Sequence, residues 1–469
     1  MFRHSSSAAV MLGSALISLM ALPAQAAYPV QTTPDSGGEG SVAQFDHNAY
    51  SLPLGNMSMT KRLDFSVGNS FFRNPWVEAP ASTDARDGLG PLINTNSCQG
   101  CHIKDGRGHP PSGQERAVSL FLRLSLPSQG ADPETLKRQG VNPLPYYGGQ
   151  LQTAAISGFK AEADMQVSYT EKAVTLDDGE VVSLQVPEYR IIDPAYGPLP
   201  DDLLTSPRVA PPMIGLGLLD TIPAERIAER ADPEDRDGDG ISGRINRVWD
   251  AQRNETVLGR FGWKAGQPTV EQQSLRAFAD DMGLTSSLFP HTDCRPSQNC
   301  ESMPNGGSLE VSDDVADFVS FYAASLAVPK RRHMDDPQVK AGAETFNELG
   351  CAACHTPRQR SGPHATRPEL ANQTIWPYSD LLLHDMGEGL ADGRPEFEAT
   401  GTEWRTPPLW GIGLAQQVNP QAGFLHDGRA RTLEEAILWH GGEAEPAAAG
   451  YRALSKSNRL DLLRFLESL

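Results

Sequence analysis

Two short segments carry most of the chemistry this chain can do: Cys98-Gln-Gly-Cys101-His102 and Cys351-Ala-Ala-Cys354-His355. The C-x-x-C-H spacing matches the two vinyl groups of one haem. Both thiols can add to them as thioethers, while the adjacent histidine reaches the iron from the same turn. The pattern implies two covalently bound haem c groups, with His102 and His355 as proximal iron ligands. A single copy in a cytosolic chain would be a weak signal, because zinc and dithiol redox sites also use C-x-x-C. Two copies behind an export signal are a strong one. The group facing each iron on its other side then separates an electron carrier from a catalyst. Two protein ligands pass electrons; an open face binds peroxide or another small molecule. His109, seven residues beyond His102, is one rival ligand for the first iron, although Pro110 and Pro111 stiffen the chain just after it.

The export signal is residues 1–27. Arg3 supplies the charge, Ala8 to Leu22 an apolar run, and Ala24-Gln25-Ala26 a cleavage signal. The mature chain is expected to be soluble and periplasmic, with no membrane span. Of the six cysteines, the two outside the C-x-x-C-H motifs are Cys294 and Cys300. In an oxidising compartment they are expected to form a small-loop disulfide, with a regulatory dithiol as the alternative. The net charge of -19 speaks against nucleic acid and anionic membranes as partners. It suits a small basic redox protein as electron donor or acceptor, or simply solubility.

Several elements must position the motifs. A hairpin is expected from Met165 to Leu176 and Glu180 to Ile192 around Asp177-Asp178-Gly179. Helices are expected over 216–229, 271–282, 312–326 and 339–349, the last running into the second motif, and over 433–439 and 459–469. The halves read as a diverged repeat. Arg208-Val-Ala-Pro-Pro echoes Arg405-Thr-Pro-Pro. Phe261 followed by Thr269-Val-Glu-Gln272 echoes Phe424 followed by Thr432-Leu-Glu-Glu435.

Asp235-Arg-Asp237-Gly-Asp239-Gly240-Ile241 has the start of a calcium loop. Three carboxylates at alternate positions can converge on a hard cation, Gly240 permits the turn, and the Ile241 carbonyl can point inward. Position twelve is Asn246 rather than Glu, so the bidentate ligand is missing. An acidic turn is the other reading.

Five stretches together resemble the di-haem oxidoreductase family often labelled "thiol oxidoreductase-like". They are residues 96–108, 235–244, 259–265, 383–390 and 424–437. That family is related to bacterial di-haem cytochrome c peroxidases and to the enzymes that mature methylamine dehydrogenase. The resemblance implies that the helix after Thr432 carries the distal ligand of the second haem. His440 stands there, where the relatives have Met or Tyr; Met386 is its competitor. In the first half the resemblance gives Trp263 as an indole between the haems, with Gln272 and Asp281 over the open face. Asp281 is one residue out of register and a shorter acid, and Trp263 reads equally well as a core aromatic.

The expected fold is mainly α: two cytochrome c-like haem domains, 28–325 and 326–469, with a loop-rich insertion in the first containing the β-hairpin. The expected function is a peroxidase-type oxidoreductase. The second haem would move electrons and the first would meet hydrogen peroxide or a similar small oxidant. A purely electron-transferring cytochrome and an oxidase that modifies a partner protein are the rivals.

Overall fold

The computed structural model describes residue 1 and residues 28–111, 116–300 and 303–469. The expected export signal lies outside the described residues. Two helix pairs anchor the fold. Met59–Arg73 packs on Asp313–Ala324 in the first half, and Pro337–Glu348 packs on Lys456–Ser468 in the second. Each starts on a capping side chain: Ser58, Ser312, Asp336 and Ser455 accept from the first turn. Both pairs depend on a glycine at the crossing. A Cβ on Gly68 would lie 2.1 Å from the Phe318 carbonyl oxygen, and one on Gly342 would lie 2.0 Å from that of Asp461. Any side chain there would force the helices apart. Phe65 and Phe72 then pack at a tilt on Tyr322, while Phe346 meets Phe465.

The expectation of a mainly α fold is wrong. The chain is 28% helical and 17% strand, the strands lying in small sheets, and cytochrome c-like domains are not shown. Among the described residues every sheet has two strands. The helix expected over 216–229 is two short ones, Leu216–Asp220 and Ala224–Ala228, interrupted at Pro223. Leu120–Ser125 pairs antiparallel with Leu204–Val209, Leu120 opposite Val209. That pairing joins distant segments, so no local pattern announces it. The hairpin is Asp164–Thr175 with Val181–Ile192. It belongs to the first half in sequence but is fastened to the second. Arg459 Nη2 donates to Asp178 Oδ2 and Glu180 Oε2, both at 2.8 Å, and Tyr189 Oη donates to Asp427 Oδ2 at 2.9 Å. No helix among the described residues is long and apolar enough to cross a membrane.

Candidate functional site

Each C-x-x-C-H motif opens onto its own cavity. Cys98, Cys101 and His102 line the first; Cys351, Cys354 and His355 line the second. None of these four thiols is in a disulfide. Burial pushes all four up, Cys98 and Cys351 to about 12, which is opposite to the electropositive setting of a reactive thiolate. The histidines are oriented for ligation. His102 Nδ1 is 2.8 Å from the Pro211 carbonyl and His355 Nδ1 is 3.1 Å from that of Tyr378. Each Nδ1–H is thereby used, leaving Nε2 as the free lone pair. Burial pushes both imidazoles down to about 4, so both are neutral at pH 7.

The second cavity contains a facing histidine. His440 lies 6.5 Å from His355 between ring centres, with an interplanar angle of 49°. Its Nδ1 is 2.7 Å from the Ala436 carbonyl, again leaving Nε2 free. Two metal–imidazole bonds of about 2 Å, each extended by a ring radius, span about 6 Å. The pair therefore has the separation that one iron between them requires. Met386 also lines this cavity. His109 lines neither cavity; its Nδ1 turns to the Pro110 carbonyl at 2.8 Å.

Among the described residues no second histidine lines the first cavity, although Met213 and Met282 do. The Thr269 and Thr432 side chains cap corresponding helices, each accepting from the N–H three residues on at 3.1 Å. His440 stands eight residues after Thr432; eight residues after Thr269 stands Ala277, which lines the first cavity and cannot bind iron. The same helix, Val270–Met282, presents Gln273 and Asp281 to the cavity. Gln272 lines it too, but its amide is spent on the backbone and on Gln267. Nε2 donates to Trp249 O at 3.0 Å and to Gln267 Oε1 at 2.9 Å, and Oε1 accepts from Ala251 N at 2.8 Å. Gln273 has no side-chain partner among the described residues. Asp281 accepts from Gln150 Nε2 at 2.8 Å, and burial pushes its carboxyl up to about 6 against the pull of Arg123.

Trp263 lines both cavities and is buried. Its Nε1 donates to Val209 O at 2.8 Å, and the Arg107 guanidinium lies 5.3 Å from its ring centre. The halves exchange backbone bonds here: Arg405 N donates to Trp263 O at 2.9 Å and Val209 N to His426 O at 2.8 Å. His426 is the repeat partner of Trp263, stacked on Trp404 at 3.8 Å. Two buried arginines, Arg107 and Arg405, also line both cavities. Among the described residues neither forms an ion pair, and burial pushes both down to about 10. Uncompensated buried cations call for an anionic guest. Carboxylates carried by a bound haem fit that need, as the cysteines fit its vinyl groups and the histidines its iron.

Sequence reasoning missed Phe72 and Phe346, whose rings lie 6.2 Å and 6.4 Å from His102 and His355. It also missed His384, buried between Asp380 (2.8 Å) and Glu443 (2.7 Å). Burial opposes its charging, yet Asp380 and the nearby anionic groups push its pKa well above the usual imidazole range.

At the edge of the second cavity, which Asp237, Asp239 and Ile241 help to line, the carboxylates of Asp235, Asp237 and Asp239 lie within 4.8 Å of one another. Asn246 is not with them. Its Nδ2 donates to Lys264 O at 2.7 Å and its Oδ1 accepts from Glu398 N at 3.0 Å. The Ile241 N–H donates to Asp239 Oδ1 at 2.8 Å. Cys294 and Cys300 form a disulfide.

Paired cavities with these donors define a di-haem protein. The sequence model of the family described as "di-haem oxidoreductase, putative peroxidase" matches residues 30–469, and the chain belongs to that family. No curated protein matches it in sequence. Among solved structures, Kuenenia stuttgartiensis hydrazine synthase, pressurised with 20 bar xenon, is similar at 19% identity and a TM-score of 0.23. The match covers 37% of this chain and 59% of that one.

Proposed function

We propose that the chain is an exported, peroxidase-type oxidoreductase whose two covalent haem c sites are unequal. One observation carries the reading: His440 faces His355 across the second cavity, while the residue at the same offset from the first half's threonine cap is Ala277, in the wall of the first. Cys98 and Cys101, and Cys351 and Cys354, would hold the haems as thioethers, with His102 and His355 beneath the irons. The bound irons supply one-electron chemistry and, at an open face, a place for hydrogen peroxide or a similar oxidant.

The chain's own residues set what each site does. His440 would close the second site against small ligands and favour electron transfer. Ala277 would leave the first site open. Asp281 holds a proton below about pH 6 and is placed to pass it to a bound oxidant. Gln273 offers the free amide that Gln272 does not. The Trp263 indole fills the interval between the sites, and Arg107 and Arg405 offset anionic charge bound on either side. The acidic exterior would suit a small basic redox protein as electron donor. Asp235, Asp237 and Asp239, with the Ile241 carbonyl, would form a weak calcium site without Asn246. Rapid mixing of the haem-loaded protein with hydrogen peroxide and a reduced basic cytochrome tests the reading. Donor oxidation should track peroxide consumption, and Asp281→Asn should slow it by roughly 100-fold or more. No peroxide consumption by a fully loaded protein would favour a pure electron carrier instead.

A further inference from the structure

Beside the first cavity lies a smaller one of about 20 Å³, lined in part by Gln150, Gln152, Glu162 and Asp293. Gln150, Gln152 and Asp293 line the first cavity as well, so the two spaces share a wall. The polar groups of that wall are unbalanced. Gln150 Nε2 donates to Asn94 Oδ1 at 2.6 Å, Asp281 Oδ1 at 2.8 Å and Asp280 O at 3.2 Å. Three acceptors around the nitrogen fix which end of the amide is which. Gln152 Nε2 likewise donates to Asp280 O at 2.7 Å. The Oε1 atoms of both amides are left buried without a partner. Two orphaned acceptors on one small cavity require donors.

Glu162 is the group able to provide one. It is 1% exposed, and its oxygens accept from Gln152 N at 2.7 Å and Gln298 Nε2 at 2.6 Å. Among the described residues no lysine or arginine forms an ion pair with it. A carboxylate buried without a counter-ion is costly, whereas the protonated acid adds the O–H that the amide oxygens lack. Burial accordingly pushes its pKa up to about 8, against the hydrogen bonds from Gln152 and Gln298. The other titratable groups facing it are Asp293, Arg295, Tyr147 and Tyr196. The cavity has room for one water, which needs about 10–15 Å³ and several polar partners.

We propose that Glu162 is a proton store for the first cavity, exchanging its proton with Asp293 through a water held by Gln150 and Gln152. The inference rests on the first cavity being the reacting site. Only protons move. The Glu162 O–H bond breaks toward the water, the water passes one of its own protons to the Asp293 carboxylate, and the reverse path refills the store. Asp293 is held in place by Gly149 N, which donates to its Oδ2 at 2.8 Å, and by Arg295 Nη2, which donates to its Oδ1 at 2.5 Å.

Infrared difference spectroscopy of the haem-loaded protein tests the proposal without any turnover. Spectra taken below and above pH 8 should contain a protonated-carboxyl band that shifts in D2O. The same band should change between the ferric and ferrous forms. Glu162→Gln should remove it from both difference spectra. Asp293→Asn should leave it in the pH difference and remove it from the redox difference. Should Glu162→Gln fail to load haem, Glu162→Asp should move the band in frequency. A band unmoved by these Glu162 variants, or no carboxyl titrating near pH 8, would overturn the proposal. Peroxide inactivity with the band in place would sink the proposed function alone. Peroxide turnover with the band indifferent to Glu162 would sink this inference alone.

Discussion

The two cavities are made from the same parts and differ in how one helix ends. Both helices begin on a threonine cap and an acidic or amide residue three positions on. In the first half the helix runs 13 residues, Val270–Met282, and carries Ala277 and Asp281 past the cavity. In the second it stops after 6 residues, Leu433–Leu438. The chain turns there and brings His440 to face His355, with Nδ1 of His440 capping the Ala436 carbonyl. At the same offset from the threonine cap, a histidine thus lines one cavity and an alanine the other. Around that difference Trp263, Arg107 and Arg405 are common to both cavities, so the asymmetry is local.

Exchanging the two faces should have the largest effect. His440→Ala is expected to turn the second site from low-spin to high-spin, read in the visible and EPR spectra. Ala277→His is expected to close the first site and abolish peroxide consumption while both haems stay bound. Next in size is Asp281→Asn. The folded-state pKa is raised from 3.8 to about 6, so the folded chain binds the extra proton in that window. The stability this gives is fully present below about pH 4 and is lost as pH rises through about 6. Melting temperatures measured across that window should fall with pH in the parent and be flatter in the variant. A smaller effect is expected from Trp263→Phe. Electron exchange between the sites, recorded after flash reduction, should slow several-fold while both spin states remain. Smallest is the acidic loop. Chelator, or Asp237→Asn, should lower the melting temperature slightly and leave the first site's spectrum unchanged.

The sequence disclosed what is local and periodic. The C-x-x-C-H turns, the hairpin, most of the helices and the threonine-capped repeat were legible because each is set by neighbours in the chain. His440 and Trp263 came from the repeat and the resemblance. The hidden features depend on long-range packing. The mainly α expectation failed because strands such as Leu120–Ser125 find partners about 80 residues away and because turns fill much of the chain. Gln272 is given by position in the resemblance; one residue on a helix turns a side chain by about 100°, and only the fold shows that its amide is already engaged. Asn246 was counted with the acidic loop by its position. Its amide instead ties Lys264 to Glu398. Arg107 and Arg405 carry no signal in the sequence, since the absence of a carboxylate partner is a property of the folded interior.

The most direct measurement is a low-temperature EPR spectrum of the haem-loaded protein, fully ferric and then half-reduced. The unequal cavities require one low-spin haem, closed by His355 and His440, and one high-spin haem above His102. Two low-spin signals in both forms would contradict that account.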